Sequence, residues 1–245
     1  MANIYEMTHD VLYYEADETG KLSLPYILNL AILSSTMQSV AYGIGPDETH
    51  TRGLGWIVLQ HVMDIKRRPN IDETVILQTY AREVNPYFAT RIYKIFDTDR
   101  NELVSIESLY AMLDMEKRKM ARIPAEYVAL YGADVVKKIP RLPEPTKISA
   151  DESALSLDYR VRYTDIDSNK HVNNSKYFDW LQDVLGETFL QTHEPVQVNI
   201  KFEQEVRMGD VISSTATIGD AQTVHRIMNG DIVAADASAT WTVAD

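Results

Sequence analysis

Two stretches of the chain follow the same order of apolar and polar positions. In the first, Val11–Ala16 reads as a strand, and a turn at Asp17, Thr19 and Gly20 leads to Ser23, a residue type that caps helix N-termini, and to Pro25 in the first helical turn. Apolar residues then recur at Leu24, Ile27, Leu28, Ala31, Ile32 and Val40 with helical spacing, and Gly43 marks a stop. Strands are predicted at Gly55–Lys66, Glu73–Arg82, Phe88–Phe96 and Leu103–Asp114, with a turn at Asp99–Asn101. In the second stretch, Asp158–Thr164 reads as a strand, the polar run Asp165–Asn174 follows, and Tyr177, Leu181, Val184 and Leu185 mark a helix. Strands are then predicted at Val196–Val206, Asp210–Ile218, Gln222–Met228 and Ile232–Val243, with Asn229–Gly230 as a hairpin signal. Laid together, Lys21 falls on Lys170, and Ile71–Val75 resembles Met208–Ile212. The pattern predicts an internally duplicated α+β protein, each copy a helix wrapped by an antiparallel sheet.

Charge sets the boundaries. The chain of 245 residues carries a net charge of −12. Residues 1–117 hold 10 basic and 17 acidic side chains, residues 118–150 hold 7 and 3, and residues 151–245 hold 7 and 16. The basic middle stretch contains four of the nine prolines and reads as a linker between a first domain, 1–117, and a second, 151–245. So acidic a chain repels a phosphate backbone, which argues against nucleic-acid binding. No apolar run is long enough to span a bilayer and no signal-peptide pattern opens the sequence, so a cytoplasmic protein is expected. With no cysteine there is no thiolate ligand, disulfide or cysteine nucleophile, and the six histidines have no metal-ligand spacing, so neither a metal nor a cofactor is expected.

Nucleotide-binding and serine-hydrolase motifs are missing, but one polar run is unusual. Asp165, Asp167, Asn169, His171, Asn173 and Asn174 fall within ten residues ahead of the second helix. Turns and a helix cap at Asn173 or Asn174 explain part of this composition. The corresponding first-copy run, Glu18–Pro25, lacks the Asn and the His, as expected of a duplicated enzyme that retained one site.

Asp167–Asn174 (D-S-N-K-H-V-N-N), with Tyr177 and Trp180, resembles the active-site segment of the acyl-acyl-carrier-protein thioesterases of plants and bacteria, which are double hot-dog proteins. The resemblance extends over Gly55–Val58, over Lys66-Arg67-Arg68-Pro69 and over Ile200–Val206. It implies a tandem hot-dog fold and hydrolysis of fatty acyl-acyl carrier protein in fatty acid biosynthesis, with Asp167, Asn169, His171 and Glu205 as catalytic positions. It further implies Trp56, Asn173, Asn174 and Tyr177 as substrate-binding candidates, and a first domain with a degenerate site that holds the acyl chain. Plant relatives often carry a cysteine directly after the glutamate; here that residue is Val206, which excludes a covalent cysteine mechanism. The set suits thioester hydrolysis. Glu205 or Asp167 would activate water or attack directly, His171 would share the proton, Asn169 would hold the water or carbonyl, and the helix N-terminus would polarise the carbonyl. Met37, Met63 and Trp56 are candidates for an acyl tunnel. Docking of an acidic carrier protein calls for local positive charge, for which Lys66, Arg67, Arg68, Arg118, Lys119, Arg122, Lys137, Lys138 and Arg141 are the candidates. An acyl-CoA thioesterase and a non-catalytic acyl-binding module are the alternatives. A homodimer is the candidate assembly.

Overall fold

The computed structural model describes residues 2–139, 141–148, 154–167 and 171–244. The chain divides into two compact units, residues 1–22 with 27–142 and residues 23–26 with 143–245.

The first unit opens with β1 (Tyr5–Asp10) and a 3-10 turn (Tyr13–Glu15), followed by α1 (Leu24–Ala41), of which it holds residues 27–41, and α2 (Pro46–Thr51). Then come β2 (Leu54–Ile65), β3 (Thr74–Val84), β4 (Phe88–Phe96) and β5 (Glu102–Asp114). The sheet order is β1-β3-β4-β5-β2, antiparallel throughout, and α1 lies along one face. Ile27, Leu28, Leu30 and Ala31 of α1 are buried, as are Met63, Val75, Leu77, Ile95, Val104 and Ile106 of the strands. Polar ties fix the helix on the sheet: Arg91 donates to Gln38 Oε1 at 2.6 Å, and the Tyr93 hydroxyl donates to Ser35 at 3.3 Å. Met63 is core, whereas Met37 is 40% exposed on α1.

The stretch expected to be a linker holds ordered structure. β6 (Lys119–Met120) pairs with β5, α3 (Ala125–Tyr131) follows, and β7 (Asp134–Val135) pairs with β3. Tyr127 and Tyr131 of α3 are buried with Ile44, Ala81, Val84, Met112 and Ile123, and Trp56 packs against that cluster. Charge and proline content mark this stretch as distinct but do not reveal the two tyrosines that anchor it.

The second unit repeats the plan with β8 (Leu155–Arg160), a 3-10 turn (Tyr163–Asp165), α4 (Asn174–Asp183), α5 (Glu187–Thr192) and β9 (His193–Phe202). β10 (Val211–Ile218), β11 (Gln222–Asn229) and β12 (Ile232–Val243) complete it, in the order β9-β12-β11-β10-β8. Tyr177, Phe178, Trp180 and Leu181 of α4 are buried, and the Ser214 hydroxyl on β10 donates to the Trp180 carbonyl at 3.0 Å. α4 is shorter than α1 because the chain turns at Gly186, whose φ of +80° no other residue adopts comfortably.

Backbone hydrogen bonds establish the duplication residue by residue. Val11 N donates to Glu73 O and Val161 N to Asp210 O; Asp72 N donates to Val11 O and Gly209 N to Val161 O. Asp72 and Gly209 both have positive φ, at 63° and 90°. The isolated bridges Ala16–Leu22 and Ile166–Val172 also correspond. They match Lys21 with His171, one residue away from the alignment on Lys170 drawn from the sequence. The segments Val11–Ala16 and Asp158–Thr164, expected as strands, contain the two 3-10 turns, and the pairing strands precede them.

The final hairpin forms with Gly230 and Asp231 between the paired residues Asn229 and Ile232, one position later than the Asn–Gly signal suggests. Gly230 has φ +58°, and no atom beyond its chain neighbours lies within 4 Å of the point where a Cβ would stand. Gly230→Ala therefore tests backbone strain alone. It is expected to lower unfolding stability by about 1–2 kcal/mol in urea titration, the cost of a left-handed conformation for a residue with a Cβ.

Candidate active site

The polar run of the second unit is held by a buried carboxylate. Asp165 is 1% exposed, and its side chain accepts hydrogen bonds from Arg162 N at 2.8 Å, Arg162 Nε at 3.1 Å and an Arg162 terminal nitrogen at 2.8 Å. Its own carbonyl accepts from Asn173 N at 2.8 Å, so one residue ties the start of the run to the start of α4. Within that span Ile166 bridges Val172, and Asp167 N donates to His171 O at 2.9 Å. Burial alone would raise the Asp165 carboxyl, but its hydrogen bonds from Arg162 outweigh this and hold it below the ordinary carboxylate value. In the first unit Glu15 takes the same place, accepting from Leu12 N at 2.9 Å and pairing with His9 at 2.8 Å. In the sequence Asp165 reads only as one of the polar residues of the run; the matching Glu15 is the signal that identifies its task.

Asp167 and His171 face each other across the narrow loop, with His171 N donating to Asp167 Oδ1 at 3.5 Å. His171 Nε2 lies 3.4 Å from Glu205 Oε1, and both side chains are about a quarter to a third exposed. The sequence places Glu205 on an alternating strand face. Instead β9 ends at Phe202, and Glu205 sits in the turn beyond it, where the chain can bring its carboxylate to the imidazole. Asn169 lies outside the described residues. Asn173 is the N-cap of α4, its Oδ1 accepting from Ser175 N at 3.1 Å, and Asn174 is the first helical residue. Tyr177, in the next turn, is buried between Trp180 and Phe202, each with its ring centroid 5.1 Å away. Trp56 belongs to the first unit, edge-on to Tyr110 at 6.3 Å. His61 and His225 are sunk in the two cores, where burial pushes them down to about 3 and about 4; they stay neutral at pH 7 and exchange no protons there.

The first unit shows what the same positions become without the His and Glu. Counting from the matched bridges and turns, Asp17 stands for Asp167, Lys21 for His171 and Arg68 for Glu205. Arg68 is 4% exposed and pairs with Asp17, and it also donates to Thr19 Oγ1 at 3.2 Å and Leu22 O at 3.5 Å. The position that carries a carboxylate in one copy carries a buried cation in the other, which closes the loop as a clasp. Arg68, a docking candidate by sequence, is not on the surface. Lys66 and Arg67 are committed to Glu102 and Glu73. Lys119, Arg122, Lys137, Lys138 and Arg141 are exposed with no ion pair among the described residues.

Two consecutive units of a helix against an antiparallel sheet define a tandem hot-dog protein. The profile of the acyl-ACP thioesterase N-terminal domain matches residues 2–131 and that of the C-terminal domain matches residues 148–243, so the chain belongs to the acyl-ACP thioesterase family. A chloroplastic acyl-[acyl-carrier-protein] hydrolase of Cuphea viscosissima is 26% identical over 230 residues, which is 88% of this chain and 55% of the relative. This chain spans between 55% and 59% of the length of the first three curated relatives it matches. Among solved structures, an oleoyl thioesterase of Lactobacillus plantarum, so designated provisionally, superposes with a TM-score of 0.96 at 38% identity, covering 100% of this chain and 98% of that one. The 12:0-ACP thioesterase from Umbellularia californica superposes at 0.83 and 19% identity over 98% of each chain, a likeness of fold. No helix among the described residues is long and apolar enough to cross a membrane.

The Asp165 clasp makes a prediction about pH. Its folded-state carboxyl lies below the unfolded value, so its charge stabilises the protein above about pH 4, and that contribution is lost as pH falls through the folded value. Urea titrations of wild type and Asp165→Asn are expected to differ most at pH 7 and to converge toward pH 3; a penalty independent of pH would show that the charge plays no part.

Proposed function

We propose that this protein hydrolyses fatty acyl-acyl carrier protein to free fatty acid and the thiol form of the carrier, as a step in fatty acid biosynthesis. The observation that carries this reading is the His171–Glu205 pair, 3.4 Å apart beside the N-terminal end of α4. Hydrolysis of a thioester joins a water oxygen to the acyl carbon, moves negative charge onto the carbonyl oxygen, breaks the carbon–sulfur bond and returns a proton to sulfur. In this reading Glu205 takes the proton from water and His171, 3.4 Å from it, relays a proton to the departing thiolate. Asp167, across the loop from His171, favours the imidazolium that forms transiently, and Asn169 positions the water or the carbonyl. The start of α4 adds the positive end of the helix dipole, which favours the developing negative charge.

The acyl carrier protein reading also rests on charge. A carrier rich in acidic residues meets a chain of net charge −12, so docking depends on cations not already neutralised. We assign that part to Lys119, Arg122, Lys137, Lys138 and Arg141. We take the compartment to be the cytoplasm.

The test is thiol release from medium- and long-chain acyl carrier proteins with matching acyl-CoAs alongside; a thiol reagent adds no background from a chain with no cysteine. Turnover is expected to favour the carrier-bound substrate, His171→Ala to lower kcat by at least about 100-fold, and Lys137→Glu with Lys138→Glu to raise KM for the carrier substrate alone. Equal or faster turnover of acyl-CoA would move the assignment to an acyl-CoA thioesterase, and no release from either would leave an acyl-binding module.

A further inference from the structure

Tyr177 is a buried side chain whose phenol has no hydrogen-bond partner among the described residues. It is 3% exposed, and its contacts are the rings of Trp180 and Phe202 and the charge of Glu205. Burial of the ring leaves the hydroxyl itself within reach of solvent, so a ligand can reach it. The ring itself is explained by packing; the hydroxyl is not.

The duplication supplies an internal control. Tyr177 stands five residues after the bridged Val172, and Ile27 stands five after the bridged Leu22. Ile27 is fully buried in its own unit, so the fold at this position is satisfied by a hydrocarbon. The hydroxyl occurs only in the copy whose neighbouring positions hold His171 and Glu205, and is absent where they hold Lys21 and Arg68. Phe202, against which the Tyr177 ring packs, is the last residue of β9, three before Glu205, so the phenol stands at the point where the carboxylate leaves the sheet.

We propose that the Tyr177 hydroxyl is a catalytic hydrogen-bond donor to the thioester carbonyl oxygen, strengthening as that oxygen becomes negative. This inference rests on the hydrolase reading above. The water oxygen bonds to the acyl carbon, the carbon–sulfur bond breaks, the water proton passes by Glu205 and His171 to sulfur, and Tyr177 keeps its own proton throughout. Burial and the adjacent Glu205 charge hold the phenol above its ordinary value, so it remains a donor. With no partner among the described residues the donor can serve the substrate, and a donor that meets only the transition-state charge acts on kcat.

The test is Tyr177→Phe, which removes one oxygen that nothing among the described residues binds. Its thermal midpoint is expected within about 2 °C of wild type, with kcat for acyl-acyl carrier protein lowered about 100-fold and KM within about twofold. A variant carrying 3-fluorotyrosine at this position, which retains the donor, is expected to keep most of the activity. Wild-type kcat in Tyr177→Phe, while His171→Ala is inactive, would overturn this proposal alone; the same kcat loss with a collapsed midpoint in Tyr177→Phe and in the fluorinated variant would make the position structural and overturn it too. A wild-type protein that releases no thiol would overturn the hydrolase reading and this inference together.

Discussion

A single buried carboxylate ahead of each long helix organises this molecule. Glu15 and Asp165 each accept the backbone N–H of the residue three positions earlier and so close a 3-10 turn between the edge strand and the loop that leads into the helix. Burying a carboxylate is costly unless it is paired and hydrogen-bonded, and both are, by His9 in one unit and by Arg162 in the other. Beyond that turn the two flanks of the following loop bridge each other, Ala16 with Leu22 in one unit and Ile166 with Val172 in the other. Whatever chemistry the loop carries is therefore placed by a residue that takes no part in it.

Divergence between the two copies then becomes legible as chemistry on a fixed frame. At one loop position Lys21 corresponds to His171, at the turn beyond the second strand Arg68 corresponds to Glu205, and on the helix Ile27 corresponds to Tyr177. In the first unit the buried Arg68 is neutralised by an ion pair with the partly exposed Asp17. In the second they leave an imidazole and a carboxylate partly exposed and 3.4 Å apart. The exposure matters, because a group that exchanges protons with water and substrate must be reachable, and the buried His61 and His225, held neutral by their surroundings, are not.

Much of this is readable in the chain. The helical spacing from Leu24 to Val40 and the strand runs at Phe88–Phe96 and Ile232–Val243 predict elements that the structure has, and β4 and β12 are buried over consecutive residues, on both faces. The short elements before each long helix read as strands because Val11, Leu12 and Tyr13, like Tyr159, Val161 and Tyr163, are β-favouring or bulky apolar residues; the 3-10 turns depend on a carboxylate three positions away, which periodicity does not register. Glu205 reads as part of a strand for a similar reason, since the alternation from Val196 to Phe202 gives no mark of where pairing stops. The linker reading fails locally because two tyrosines, not an apolar period, hold α3 down. The burial of Arg68 is not legible in its charge: it follows from Asp17 and Thr19 lying opposite, and the tertiary match with Glu205 emerges only when the turns at Asp72 and Gly209 are aligned.

The account stands on His171 and Glu205 acting as one unit, and a double-mutant cycle measures that directly. Single-turnover rates on acyl-acyl carrier protein would be compared for wild type, His171→Ala, Glu205→Gln and the double variant. If the pair relays one proton, the double variant is no slower than about threefold below the slower single variant, since removing either partner already disables the relay. Losses that multiply across the two sites would mean that the residues act independently, and would contradict the pairing on which the proposed chemistry depends.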